Sequence, residues 1–339
     1  MTAVSRRHFG RMLGGLAAGW TLTRPLWPTT CGPRLIAAPE SPRREPISLG
    51  LIADLHQDIM HDAPARLDAF LSAMADAKPD ALLQLGDFAV PAAKNRPLIQ
   101  RFNQAHANAW HVIGNHDTDG GYRIPELLDA WQMPKRFYAV DLKGIRLLIL
   151  DGNDRPPNHR AGYPAHIGPE QQEWLRAELR KATTPILLVS HQPLAGHAAV
   201  DNAAEIRAIL KPHAGKILLA INGHTHLDAL VEVDGIPYWH VNSASYFWVG
   251  SPYQHNSYDA AIHKQHRWIA STCPYRDALY SRLTIDLDAG TLTIHARSSE
   301  WVGDSPAKLG VPKVDGGRER EPIAPQIRAR KLQTAPRLQ

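Results

Sequence analysis

Five short polar blocks hold the residue types best suited to chemistry in this chain. They are Asp54-Leu55-His56, Gly86-Asp87, Gly114-Asn115-His116-Asp117, His191, and Gly223-His224-Thr225-His226. Together they offer carboxylates, an amide and several imidazoles, with no thiolate. That is a donor set for hard or borderline divalent cations. Apolar runs at residues 47–53, 81–85, 110–113, 186–190 and 217–222 lead into the blocks and read as buried strands. Strands that finish in Asp, His or Asn gather those side chains along one sheet edge. Open α/β sheets place their active sites at that edge.

The order of the blocks resembles that of the calcineurin-like metallophosphoesterase superfamily. Its pattern is D-x-H, GD, GNH[DE], H and GHxH, and every position is filled over roughly residues 47–245. The resemblance implies an α/β fold, a four-layer αββα sandwich of two mixed sheets with the metal site at the C-terminal strand ends. It implies two divalent or mixed-valence transition-metal ions, drawn from Mn, Fe, Zn, Co or Ni. Asp54, His56 and His226 would hold one ion, Asn115, His191 and His224 the other, and Asp87 would bridge them. Two cations about 3.5–4 Å apart need such an anionic bridge, and a hydroxide shared between them is the nucleophile for in-line attack on phosphorus. In the family pattern His116 faces the substrate, where it can protonate the leaving oxygen. Asp117 is expected either to orient His116 or to cap a turn.

Departures from other branches narrow the class. After Gly86-Asp87 the chain reads Phe88-Ala89-Val90, so the GDxVDRG extension of protein Ser/Thr phosphatases is missing. Val90 also stands where purple acid phosphatases place a metal-binding Tyr. What remains resembles the bacterial cyclic-nucleotide-phosphodiesterase-like branch.

The elements that must position these blocks can be read from periodicity. Helical spacing appears at residues 65–77, 97–107, 169–181 and 202–210. Further strands are expected at 146–150, 230–233, 238–241, 281–287 and 291–296, with a hairpin turn at Asp234-Gly235. Alternating strands and helices followed by hairpins fit two stacked sheets with outer helices. Residues 38–302 suit one large domain, and residues 303–339, rich in Pro, Gly, Lys and Arg, read as a disordered or loosely attached tail.

Two segments are placed on the substrate side. One is the polar loop at residues 151–166; the other is an aromatic insertion at 246–280, opening with Tyr246-Phe247-Trp248. Most of these rings are expected to form a satellite core. Tyr246 and Trp248 are the candidates for substrate contact. Asp58, His61 and Asp62 read as polar loop residues near the cleft mouth. His106, His111, His159, His213 and His240 fit no motif and read as structural.

The N-terminus carries Ser5-Arg6-Arg7-His8-Phe9, which matches the twin-arginine export pattern, followed by a short Gly/Ala-rich apolar stretch at residues 12–22. That stretch is too short for a good membrane span. A signal peptide over residues 1–37, a translocase partner during export and a periplasmic or secreted location are the expectation. The formal charge of +5 is misleading. Residues 1–37 bring five Arg and no acid, and residues 303–339 bring eight bases against four acids, which leaves 38–302 at net −4. A long nucleic acid is not an expected partner for an acidic core. Of the two cysteines, Cys31 falls in the signal and Cys273 reads as a small buried residue.

These readings converge on an exported binuclear phosphoesterase acting on a small phosphate ester, a phosphodiester or phosphomonoester. A pyrophosphatase on nucleotide- or lipid-linked diphosphates is the alternative, then a nuclease. A non-enzymatic metal-binding protein would be expected to lack a ligand or His116, and neither is missing.

Overall fold

The computed structural model describes residues 43–156, 159, 161–314 and 322–334. The twin-arginine segment and the expected signal cleavage point lie outside the described residues. In chain order the first seven strands are β1 (Ile47–Ile52), β2 (Ala81–Gln84), β3 (Ala109–His111), β4 (Tyr138–Leu142), β5 (Ile145–Ile149), β6 (Ile186–Ser190) and β7 (Ile217–Asn222). Then follow β8 (Ala229–Val233), β9 (Ile236–His240), β10 (Tyr246–Trp248), β11 (Thr272–Pro274), β12 (Ser281–Asp286), β13 (Thr291–Ile294), β14 (Arg297–Ser298), β15 (Gln326–Ile327) and β16 (Arg330–Gln333). The α-helices are α1 (Ala63–Ala77), α2 (Arg96–Ala105), α3 (Ile124–Trp131), α4 (Pro169–Lys181), α5 (Ala203–Leu210) and α6 (Ala260–Gln265). Among the described residues no helix is long and apolar enough to cross a membrane.

Two six-stranded mixed sheets form the frame, ordered β16-β13-β12-β1-β2-β3 and β4-β5-β6-β7-β9-β8. In the first, β1, β2 and β3 run parallel and β12 lies antiparallel to β1. In the second, β5, β6, β7 and β9 run parallel, with β4 and β8 antiparallel at the edges. Strand alternation sorts the second sheet's side chains onto two faces. Leu147, Ile149, Leu187, Val189, Leu219 and Ile221 join the first sheet in a shared central core. Leu148, Leu150, Ile186, Leu188 and Ala220 instead pack with Leu175 and Leu179 of α4 and Ile206 and Leu210 of α5. Helix α1 covers the first sheet's outer face. A Cβ on Gly50 would lie 2.5 Å from Met74 Sδ, so the glycine lets the helix side chains pack close over β1.

Local sequence explains the helices. Helix α4 starts with Pro169, carries Glu170 in its first turn and Arg180 and Lys181 in its last, and so complements its dipole at both ends. Helix α1 buries Ala63, Arg66, Leu67, Phe70 and Met74, a single stripe, and ends where Lys78 turns left-handed at φ 47°. The expected hairpin is present: Asp234 at φ 53° and Gly235 at φ 76° join β8 to β9.

The tail reading is corrected for its described part. Strand β16 pairs with β13 at the edge of the first sheet, and β15 pairs with β14. Composition misled because the tail's order comes from buried partners far away in sequence. Asp228, fully buried, binds Arg330 Nη1 at 2.7 Å and Arg328 Nη1 at 3.0 Å. Asn242 Nδ2 donates to the carbonyls of Ala324 and Gln326 at 2.7 and 3.0 Å. The domain boundary expected at residue 302 therefore moves beyond β16.

Candidate active site

Each polar block lies just past a strand end. Strand β1 delivers Asp54 and His56, β2 delivers Asp87, and β3 delivers Asn115 and His116; β6 delivers His191, and β7 delivers His224 and His226. The turns are tight. Asp54, His56, Asp87, His224 and His226 all adopt positive φ, between 50° and 67°. Left-handed backbone is uncommon outside glycine, and its concentration here is stored strain of the kind found at functional sites. Hydrogen bonds between blocks hold it in place. His56 N donates to Asp87 O at 2.9 Å and His224 N to Asp54 Oδ1 at 3.0 Å. A Cβ on Gly114 would stand 2.2 Å from both the amide nitrogen and Oδ1 of Asp87, which explains the glycine ahead of Asn115.

The side chains meet in two groups, Asp54–His56–His226 and Asp87–His191–His224, buried except for half-buried His224, with the donor atoms of each group within 4.8 Å of one another. Asp87, a member of the second group, also reaches toward the first. Its Oδ1 accepts from His116 N at 2.8 Å, while Oδ2 lies 3.2 Å from His191 Nε2 and 3.7 Å from His56 Nε2. Asn115 Oδ1 stands 3.1 Å from His191 Nε2, so the amide joins the second group. His191 Nδ1 donates to Leu85 O at 2.8 Å and His226 Nδ1 to Tyr246 O at 2.7 Å, which leaves each Nε2 lone pair aimed inward.

This arrangement fits two cations. Asp54 and Asp87 are 1 and 2 % exposed, yet among the described residues neither pairs with a Lys or Arg. Burial without such a partner leaves their charge to an ion. Electrostatics from the protein's own groups point the same way. Burial drives His56 well below its ordinary value and His224 down to about 3, so both are neutral donors at pH 7. Burial works against charge at His191 too, but Asp87 outweighs it and pushes the imidazole up to about 9. Burial raises Asp87, yet His191 and then His116 hold it well below the usual carboxylate range. The second group thus demands positive charge beside Asp87, and a cation on His191 Nε2 meets that demand in place of a proton.

His116 sits against the first group, its ring 5.3 Å from that of His56. The expectation that Asp117 orients His116 is corrected; the turn-cap reading describes it. The Asp117 carboxylate accepts from the amides of Asp87, Phe88, Ala89 and Gly114 at 2.7 to 3.1 Å and is 1 % exposed. It fastens two ligand loops together. The carboxylate on His116 is Asp119, whose Oδ2 lies 2.8 Å from His116 Nδ1. Tyr163, from the loop at 151–166, adds its hydroxyl 3.0 Å from the same nitrogen and 3.0 Å from Asp119 Oδ1. Sequence reasoning missed both. Asp119 carries no pattern of its own, and only the placement of the 151–166 loop on the substrate side pointed toward Tyr163.

The aromatic insertion divides by strand alternation. Tyr246 is buried and stacks on His56 at 4.9 Å and 27°. Phe247 points the other way into the core. Trp248, two residues on and 6.4 Å from the Tyr246 ring, is 43 % exposed. Tyr275 and Tyr280 are buried in the central core itself, not in a separate satellite as expected. Asp58 lines the shallow depression over the site while its carboxylate accepts from Val90 N and Asn95 Nδ2. Asp62 pairs with Arg66, and His61 packs edge-on against Tyr258. Among the described residues the depression's lining includes Ile59, Phe88, Ala89 and Val90 and no Lys or Arg.

Residues 47–228 match the family described as calcineurin-like phosphoesterase. A dimetal phosphatase from Danio rerio is similar, with a TM-score of 0.54 at 14% identity over 76% of this chain and 99% of that one. GAP50, the anchor in the inner membrane complex of Plasmodium, is similar with a TM-score of 0.51 at 12% identity, covering 86% of this chain and 90% of that one. At such identities the likeness is one of fold. No curated protein matches the chain.

Proposed function

The chain belongs to the calcineurin-like phosphoesterase family, and from that premise we propose an exported hydrolase of small phosphate esters that works with two transition-metal ions. Family and donor set make it a metal-dependent phosphoric ester hydrolase. One observation supports the binuclear reading best: Asp87 Oδ2 lies between the two groups, 3.2 Å from His191 Nε2 and 3.7 Å from His56 Nε2.

Asp54, His56 and His226 would hold one ion, Asn115, His191 and His224 the other, with Asp87 between them. When bound, the ions supply Lewis acidity toward the phosphoryl oxygens and lower the pKa of the attacking water. The chain's own groups do the rest. Asp54 and Asp87 offset the metal charge. His116 stands beside the first group as the proton donor for the leaving oxygen. Among the described residues no Lys or Arg lines the depression, and Lys94 beside it is paired with Asp58 at 2.9 Å, so the phosphoryl charge falls to the cations and His116. The exposed ring of Trp248, on the Tyr246 face of β10, is the surface offered to the substrate's organic group. The shallow depression suits a small ester better than a polymer. The Ser5-Arg6-Arg7-His8-Phe9 pattern supports export and a periplasmic or secreted location.

The test is a screen. The purified protein is stripped with chelator, reloaded separately with Mn, Fe, Zn, Co or Ni, and offered aryl phosphates, bis-aryl phosphates and nucleoside diphosphate esters. Hydrolysis of a mono- or diester with at least one metal is the expected result. Failure with every metal, or faster cleavage of the diphosphate linkage, overturns the reading.

A further inference from the structure

We propose that Asp119 and Tyr163 are positioning residues that lock the His116 ring with Nδ1 turned away from the substrate and Nε2 toward it. This rests on the reading of His116 as proton donor and says how the chain enforces that role. Three polar atoms meet on one side of the ring. Asp119 Oδ2 lies 2.8 Å from His116 Nδ1, and Tyr163 Oη lies 3.0 Å from the same nitrogen. Tyr163 Oη also stands 3.0 and 3.1 Å from the two Asp119 oxygens.

Donor and acceptor inventory leaves one consistent assignment. A carboxylate only accepts, so His116 Nδ1–H and the Tyr163 hydroxyl both donate to Asp119. The Tyr163 oxygen faces Nδ1–H with a lone pair. The imidazole thus keeps its proton on Nδ1, and none of the described residues hydrogen-bonds Nε2. The ring also packs against Tyr163 at 4.4 Å between centroids and against His56 at 5.3 Å, so rotation is blocked from both sides.

The backbone supports the same geometry. His116 N donates to Asp87 Oδ1 at 2.8 Å, so the backbone that carries the ring is anchored to that carboxylate. A kink at Asp119 and Gly120, with φ/ψ of −57°/154° and 76°/10°, brings the Asp119 carboxylate back over the residue three places earlier. In the step that this serves, His116 acts as an imidazolium with a proton on each nitrogen; the P–O bond to the leaving group breaks and its oxygen takes the proton from Nε2, which leaves the neutral ring. The Nδ1 proton stays on the ring, facing Asp119. The proton released by the attacking water returns to Nε2 through solvent, so the ring ends as it began.

The test compares Asp119→Ala, Tyr163→Phe and His116→Ala, singly and with Asp119→Ala combined with His116→Ala, in metal-loaded protein. With an alkyl phosphate ester, Asp119→Ala should slow kcat by roughly ten- to a hundredfold, the range for a lost partner behind a functional imidazole. Tyr163→Phe should slow it by less, roughly two- to tenfold, since Asp119 keeps its own bond to Nδ1. With a nitrophenyl ester, whose leaving oxygen needs little protonation, both variants should stay close to the native rate. KM and metal content should not change. Adding Asp119→Ala to His116→Ala should cost nothing further, since its only route is through the ring. Equal losses on both esters, or additive losses in the double variant, overturn the proposal.

A second readout needs no turnover. In zinc-loaded protein labelled with 15N-histidine, His116 should show a protonated, hydrogen-bonded Nδ1. Asp119→Ala should shift that signal while the ligand histidines hold theirs. An unchanged His116 signal overturns the proposal. A native enzyme inactive on every ester would instead overturn the phosphoesterase reading, and the ring signal would still decide the positioning.

Discussion

Asp117 and Asp119 stand two positions apart and do different work. Asp117 turns inward and takes four backbone amides from two ligand loops; Asp119 turns outward onto His116. Nothing in the residue types separates them, because the difference lies in a backbone kink that no side chain announces. His111 shows the same limit from the other direction. Its Nδ1 lies 3.0 Å from Gln84 Nε2 and its Nε2 2.6 Å from Asn103 Oδ1, so both nitrogens are satisfied in the neutral form. Burial pushes its pKa down to about 3. The unfolded chain accepts this proton near pH 6.5, whereas the folded chain refuses it until about pH 3. The stability that His111 contributes is therefore complete above pH 6.5, falls as the pH drops and is gone near 3. Between pH 7 and 5 the loss should be about 2 kcal/mol. In urea unfolding, His111→Gln should narrow its gap to the native protein by that amount over the same interval. A gap that stays constant contradicts the assignment.

At the scale of elements, what the sequence made legible is what short-range pattern encodes. Strands β1, β2, β6 and β7 were readable because they are continuous apolar runs buried on both faces, and each ends at a ligand block. The candidate ligands followed from the resemblance that the blocks carry, and the structure brings them together. Helix α3 and strand β4 were missed although their signals are local, a capping box at Arg123 and Glu126 and a tight Lys143-Gly144 turn into β5, whereas the strap through β15 and β16 depends on distant partners. Strand β16 alternates half-buried and exposed residues and becomes a strand by pairing with β13. Asp228 then anchors Arg328 and Arg330. Deleting residues 322–339 should strand a buried carboxylate and destabilise the fold by about 3–5 kcal/mol. Urea unfolding checks this, and an unchanged midpoint would mean that the strap is merely laid on the surface. Strand β10 supplies a second prediction. Tyr246→Ala should cost about 3–5 kcal/mol, as a buried ring packed on His56. Trp248→Ala, at an exposed ring, should leave the melting temperature in place and alter KM or the ranking of substrates. A large melting shift for Trp248→Ala with unchanged ranking removes its proposed substrate contact.

At the scale of the whole molecule, charge is distributed unevenly. Net positive charge lies at the two ends of the chain, and residues 38–302 carry net −4. Two of the tail's arginines neutralise Asp228 inside the fold, so the basic tail is partly a structural strap. Five basic residues and no acid precede residue 38, in keeping with the proposed export signal. Replacing Arg6 and Arg7 together by Lys keeps the charge and removes the arginine pair. The precursor should then stay in the cytoplasm on fractionation, and unchanged export would mean another route. The central claim is that two sheets bring five strand ends together so that one carboxylate serves two cations. Metal analysis of Asp87→Asn beside the native protein tests it most directly. The native chain should bind two metal ions and hydrolyse a phosphate ester, and the variant should lose metal at both positions along with most of its activity. A variant that keeps two ions per chain and turns over near the native rate would contradict the account.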